Sequence, residues 1–173
     1  MSDTTPAQGS PFWRFPLRFY REPGVAEACI ALQEEAGVDV NLLLFLLWHA
    51  TQARRLSADE VAMLEQKIGG WREATVIPLR ALRRALKTPP ALVGAPTAEA
   101  FRTKIKAAEL EAERLQQEAM YDLAREALLG RADAWPQETA AANVAAYAHM
   151  LGASFSAGAV KTLLAATAKF TTT

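Results

Sequence analysis

The densest apolar run in the chain, Leu42 to Trp48 (LLLFLLW), contains no polar position that would mark a solvent face. A helix that is apolar all round must be enclosed by other elements. Residues 38–49 (VDVNLLLFLLWH) therefore predict a central helix, over 41–53, with Asp39 as its natural N-cap. Upstream, Ser10-Pro11 supplies a cap and a first-turn proline. They open a short aromatic helix carrying Phe12, Trp13, Phe15, Phe19 and Tyr20, in which Pro16 predicts a bend or a restart. Pro23 opens a second helix over 24–36, with Val25, Cys29 and Leu32 on one stripe and Gly37 as its stop.

Downstream, Ser57 and Glu60 have the spacing of a capping box. The helix they open carries Val61, Leu64 and Ile68 and is expected to end at Gly69-Gly70. Trp71 begins a further helix to residue 87, bent near Pro78. Residues 88–97 (TPPALVGAPT) read as a hinge because of their prolines and glycine. Thr97 then caps the longest helix, 98–129, which Gly130 stops. Its positions Phe101, Ile105, Ala108, Ala112, Leu115 and Ala119 form a heptad stripe, which predicts packing within the chain or a homodimer seam. Pro136 opens an Ala-rich helix to 151, ended by Gly152, and Ser156 caps a last helix reaching 170. No segment alternates like a strand for long. The pattern predicts an all-α protein: a compact multi-helix domain around a buried central helix, one long charged helix and a short Ala-rich C-terminal helical pair. Residues 1–9 are expected to be a disordered tail and 10–173 a single domain. The 88–97 hinge would lie between an N-terminal helical cluster and a C-terminal half.

Composition adds limits. A chain of 173 residues can bury a real core as one domain. Lys plus Arg equals Asp plus Glu at 19 each, so no global field favours nucleic acid or membrane. The lone cysteine, Cys29, excludes an internal disulfide and fits a reducing compartment. The first residues do not read as a charged-then-apolar leader, so no signal peptide is expected. The central apolar run is also far shorter than the roughly 20 residues that span a bilayer. The expectation is a cytoplasmic protein without a membrane partner.

Candidate chemistry is sparse. Cys29 sits on an apolar stripe with no base beside it in sequence. His49 and His149 each lack a second ligand at metal-site spacing. Glu109 and Glu113 share a helix face, but without Glu-x-x-His pairs they read as a solvated face. No catalytic residue, metal site or cofactor is predicted, and the chain leans away from an enzyme. Two features remain. Arg80, Arg83, Arg84 and Lys87 form one basic helical ridge. It either pairs with acidic residues of the long helix, docks a protein partner with an acidic surface, or holds RNA or the ribosome non-specifically. Trp13, Trp48 and Trp71 either plug helix junctions or, with Tyr20, line a pocket in which Gln33, Asp39 and Asn41 supply polar groups. The preferred function is a non-enzymatic adaptor or regulatory module working through the ridge. The alternatives are an RNA- or ribosome-associated factor and a small-molecule binder or enzyme using the tryptophan pocket.

The string FWRFPLRFYREPGVAEACIALQEEAGVDVNLLLFLLW at 12–48, the isolated Trp71, PLRALRRALK at 78–87, AELEAERLQQ at 108–117 and NVAAYAHMLG at 143–152 also recur as a set. In these the chain resembles a proteobacterial family of small helical proteins, domain of unknown function 2390. The resemblance implies a small cytoplasmic bacterial protein. It brings no activity, cofactor or catalytic residue with it.

Overall fold

The N-terminal caps form as their sequence requires. A computed structural model describes residues 9–171, so all of the expected 1–9 tail except Gly9 lies outside the described residues. Ser10 Oγ accepts the Trp13 N–H at 3.1 Å and opens α1 (Pro11–Phe19), which continues through the buried Pro16. Helix α2 (Val25–Ala36) runs between Gly24 at φ +78° and Gly37 at φ +66°, left-handed conformations that glycine adopts without strain. Its buried stripe includes Val25, Cys29 and Leu32. Asp39 accepts the Leu42 N–H at 3.1 Å and starts α3 (Val40–Thr51). Every residue from Leu42 to Leu47 is buried.

The capping box of α4 (Ala58–Trp71) closes in both directions: Glu60 N–H to Ser57 Oγ at 3.2 Å, and Ser57 N–H to Glu60 Oε2 at 2.7 Å. The expected stop at Gly69-Gly70 does not occur, and α4 passes through both glycines. A π-helical turn (Arg72–Val76) follows, and then α5 (Ile77–Ala85). Pro78 has no N–H, and its ring would crowd the carbonyl four residues back, so the wider turn just before it relieves that clash. Helix α6 (Ala95–Ala127) begins ahead of Thr97, with Pro96 in the first turn where a missing N–H costs nothing. Left-handed Leu128 (φ +52°) and Gly130 (φ +76°) then turn the chain. Two short strands that the sequence reading missed, β1 (Arg54–Arg55) and β2 (Arg131–Ala132), pair antiparallel. Helices α7 (Pro136–Leu151) and α8 (Ala157–Ala168) complete an all-α architecture.

The chain forms two compact units: residues up to 65 together with 117 onward, and residues 66–116. In the first, α7 packs on α3 and α8 on α2, so early and late helices interleave. Asn143 of α7 accepts the Leu56 N–H at 2.9 Å and donates to the carbonyls of Leu46 (3.0 Å) and Arg54 (3.2 Å). Tyr147 Oη accepts the Asp39 N–H at 2.9 Å. Phe12 meets Phe45 edge-on at 4.9 Å, and Phe170 closes on Phe15 and Phe19. The second unit contains α5, the first two-thirds of α6, and the 88–97 segment that links them.

The predicted heptad face of α6 is not the buried one. Ala112 is buried and Ile105 half-buried, but Phe101, Ala108, Leu115 and Ala119 are exposed. Burial follows Glu109, Ala112, Gln116, Met120 and Ala124 instead. A straight helix drifts by about 20° per heptad from a 3.5-residue repeat, and polar residues with partners can be buried as readily as alanines.

Candidate functional site

The basic ridge divides into two pairs. Glu109 is buried on α6, and Arg80 Nε donates to its Oε1 at 3.0 Å. Arg83 donates to the same carboxylate through both Nε and Nη2. Arg80 Nη2 also reaches Glu113 Oε1 at 2.6 Å. Two planar guanidinium forks thus converge on one carboxylate. Burial pushes the Glu109 carboxyl up, but the hydrogen bonds from Arg83 and Arg80 outweigh it and hold it below the usual carboxylate range. The bond to Glu109 raises Arg83 in turn. Glu109 is therefore the anchor of an ionic network and not part of a solvated face. Arg84 and Lys87 differ: both are exposed and have no carboxylate partner among the described residues. Apolar Leu82, Leu92, Val93 and Phe101 are also exposed in this unit.

The seven residues expected to line a tryptophan pocket each have their own contacts. Asp39 caps α3, and Asn41 Oδ1 accepts from Gln117 Nε2 at 2.7 Å. The Gln33 carbonyl closes the end of α2 on Gly37. Trp13 is half-buried beside its cap, and Tyr20 is exposed, its hydroxyl bonded to Cys29. Burial pushes the Cys29 thiol up to about 11 against that bond, which leaves it a poor nucleophile. Trp71 belongs to the other unit, where its Nε1 donates to the Ala112 carbonyl at 2.9 Å.

Trp48 has a different setting. It packs against Phe12, Phe45 and Tyr121, with ring centres 5.6 to 5.9 Å away. It also lines a cavity of about 140 Å³ with His49, Arg54, Tyr121, Arg125 and Leu128. His49 is only 6 % exposed, and neither ring nitrogen has a hydrogen-bond partner among the described residues. Burial first, and the Arg54 charge second, push its pKa down to about 4, so the ring is neutral at pH 7. Each unmet donor or acceptor costs about 1–3 kcal/mol when buried. Arg54 Nη2 donates to the Leu128 and Leu129 carbonyls at 3.3 and 3.0 Å, and Arg125 stands 5.7 Å over the Tyr121 ring. The sequence pointed to Trp48 as a pocket residue and to His49 as a lone histidine, but not to Arg54, Tyr121 or Arg125. The available signal was an imidazole placed on an otherwise apolar helix five residues before Arg54-Arg55.

A larger open groove of about 640 Å³ runs over Arg55, Ser57, Gly130 and Arg131. Glu60 already occupies its polar centre, accepting the Ser57 N–H at 2.7 Å and the Gly130 N–H at 2.8 Å. Among the described residues no group of three or more His, Cys, Asp or Glu side chains is placed to hold a metal ion. No described helix is long and apolar enough to cross a membrane. Residues 11–120 match the model of a family described as protein of unknown function (DUF2390). No curated protein and no solved structure matches the chain.

Proposed function

The chain belongs to the domain of unknown function 2390 family, and from that premise we propose that it is an adaptor that docks an acidic protein partner through the 66–116 unit. The observation that carries this reading is the division of the ridge. Arg80 and Arg83 are held by Glu109, whereas Arg84 and Lys87 keep exposed charges without a carboxylate partner among the described residues. Helix α5 also buries none of its residues, although Leu79 and Leu82 lie at helical spacing, with Leu86 at its C-cap. Apolar side chains beside unmet arginine and lysine make a surface suited to carboxylates set in an apolar rim. Phe101 and Leu115 of α6 are also exposed and offer an apolar face for a second copy of the chain. The buried lone cysteine fits a reducing compartment, and the reading places the protein in a bacterial cytoplasm.

The test is a tagged pull-down from native lysate, with and without nuclease, comparing wild type with Arg84→Glu/Lys87→Glu. The expected result is an acidic protein that persists through nuclease and is lost with the double variant. The variant's stability should stay within about 0.5 kcal/mol of wild type, because both sites are exposed. Capture unchanged by the reversal would overturn the docking site. Recovery of RNA or ribosomal proteins that vanish with nuclease and fall steeply with salt would replace it with nucleic-acid association.

A further inference from the structure

The cavity beside His49 is independent of the ridge, and its walls are chemically selective. Its two charged lining residues, Arg54 and Arg125, are both cationic and lack carboxylate partners among the described residues. Trp48 and Tyr121 offer ring faces and edges, and their centres lie 5.8 Å apart. The space is open to solvent on one side, and its volume of about 140 Å³ has room for a body of about six heavy atoms. His49 contributes a neutral imidazole whose ring nitrogens are shut off from solvent and unpartnered among the described residues. An acceptor must therefore move part of the wall to reach it. Leu128 is the lining residue least held in place: it is 78 % exposed and at φ +52°, a backbone conformation unfavourable for leucine. Ala53, just before Arg54, is likewise left-handed at φ +51°. Both left-handed residues lie where the chain turns out of a helix, Ala53 after α3 and Leu128 after α6, so the rim of the pocket is made of helix ends.

We propose that this cavity binds a small carboxylate with an aromatic-sized apolar body. The body rests against Trp48 and Tyr121, and the carboxylate accepts from the imidazole N–H of His49 and from the arginines. Arg54 has donors to spare, because only its Nη2 is engaged by backbone carbonyls. Arg125 reaches the ligand from its position over Tyr121. A carboxylate beside His49 would favour the charged imidazole and so raise its titration midpoint.

The chain contains only His49 and His149, so imidazole NMR resolves the site against an internal control. The test titrates benzoate into the full chain, with benzyl alcohol (a ring without charge) and acetate (charge without a ring) as comparisons. Benzoate at millimolar concentration is expected to shift the His49 signals and move its midpoint up from about 4, leaving His149 in place. Arg125→Gln, at an exposed position, should keep the fold and weaken benzoate about tenfold or more. The proposal is overturned if millimolar benzoate leaves the His49 signals unmoved, if benzyl alcohol binds as well as benzoate, or if Arg125→Gln binds benzoate like wild type.

Discussion

Helices α3 and α5 show two ways in which one chain stabilises a helix. From Leu42 to Leu47 every residue of α3 is buried, while α5 buries none of its residues. The first is held by apolar area removed from water, at about 25 cal/mol per Å². The second is held by guanidinium–carboxylate bonds to Glu109 and Glu113. The contrast separates the molecule by solvent sensitivity. The α3 region should respond to side-chain volume, and the α5 region to charge.

The contrast is sharpest at Phe45, which touches Phe12, Trp48 and His49. Phe45→Ala should cost about 4 kcal/mol through lost burial and the cavity left behind. Urea denaturation followed by circular dichroism would read this, and a loss under about 1 kcal/mol would deny α3 its central role. A second test uses pH. The pKa of His49 falls from 6.5 in the unfolded chain to about 4 in the folded one, so unfolding takes up a proton in that window. Stability is full above pH 6.5 and declines as pH falls towards 4, by about 3 kcal/mol at the limit. Glu60 and Arg54 are the charged groups coupled to it. His49→Phe should flatten that part of the profile. If both proteins lose stability equally between pH 6.5 and 4, His49 is not the buried neutral ring described here. The smallest effect belongs to the ionic region. Glu109→Ala leaves Arg83 without a carboxylate and Arg80 with Glu113 alone, and should cost about 2 kcal/mol, less than for a fully enclosed pair because both arginines are partly wet. Amide exchange should speed up in residues 77–85 and stay slow in 42–50. A uniform change across both would erase the distinction between the two regions.

The sequence exposed the features that act locally. The caps at Ser10, Asp39 and Ser57 and the glycine at position 37 are each decided within four residues, and each formed as read. Less visible was whatever depends on partners distant in the chain. Gly69 and Gly70 look like a helix end because each costs about 1 kcal/mol in a helix interior. They are nonetheless carried within α4, and the next residue, Trp71, is fixed to the Ala112 carbonyl. The packing within the chain offered for the α6 stripe did not form for a similar reason: Glu109 is buried because Arg80 and Arg83 come to it, which no periodicity of α6 encodes. Asn143 reads as one polar residue in an alanine-rich helix, yet it satisfies three backbone groups 87 to 97 positions away. The arginine ridge was legible as charge, but its division into held and open pairs was not. The His49 cavity joins α3 to the end of α6, and only the folded chain brings those together.

The interleaving of early and late helices has a consequence during synthesis. Helix α3 ends at Thr51, and α7, which covers it, begins at Pro136. At roughly 5–20 residues per second, a ribosome needs on the order of ten seconds to make the intervening stretch. For that interval the most apolar segment of the nascent chain is made without α7, which covers it in the finished fold. The leucines of α3 thus wait for α7 through half the length of the chain, exposed apolar surface of the kind that makes nascent chains prone to aggregate.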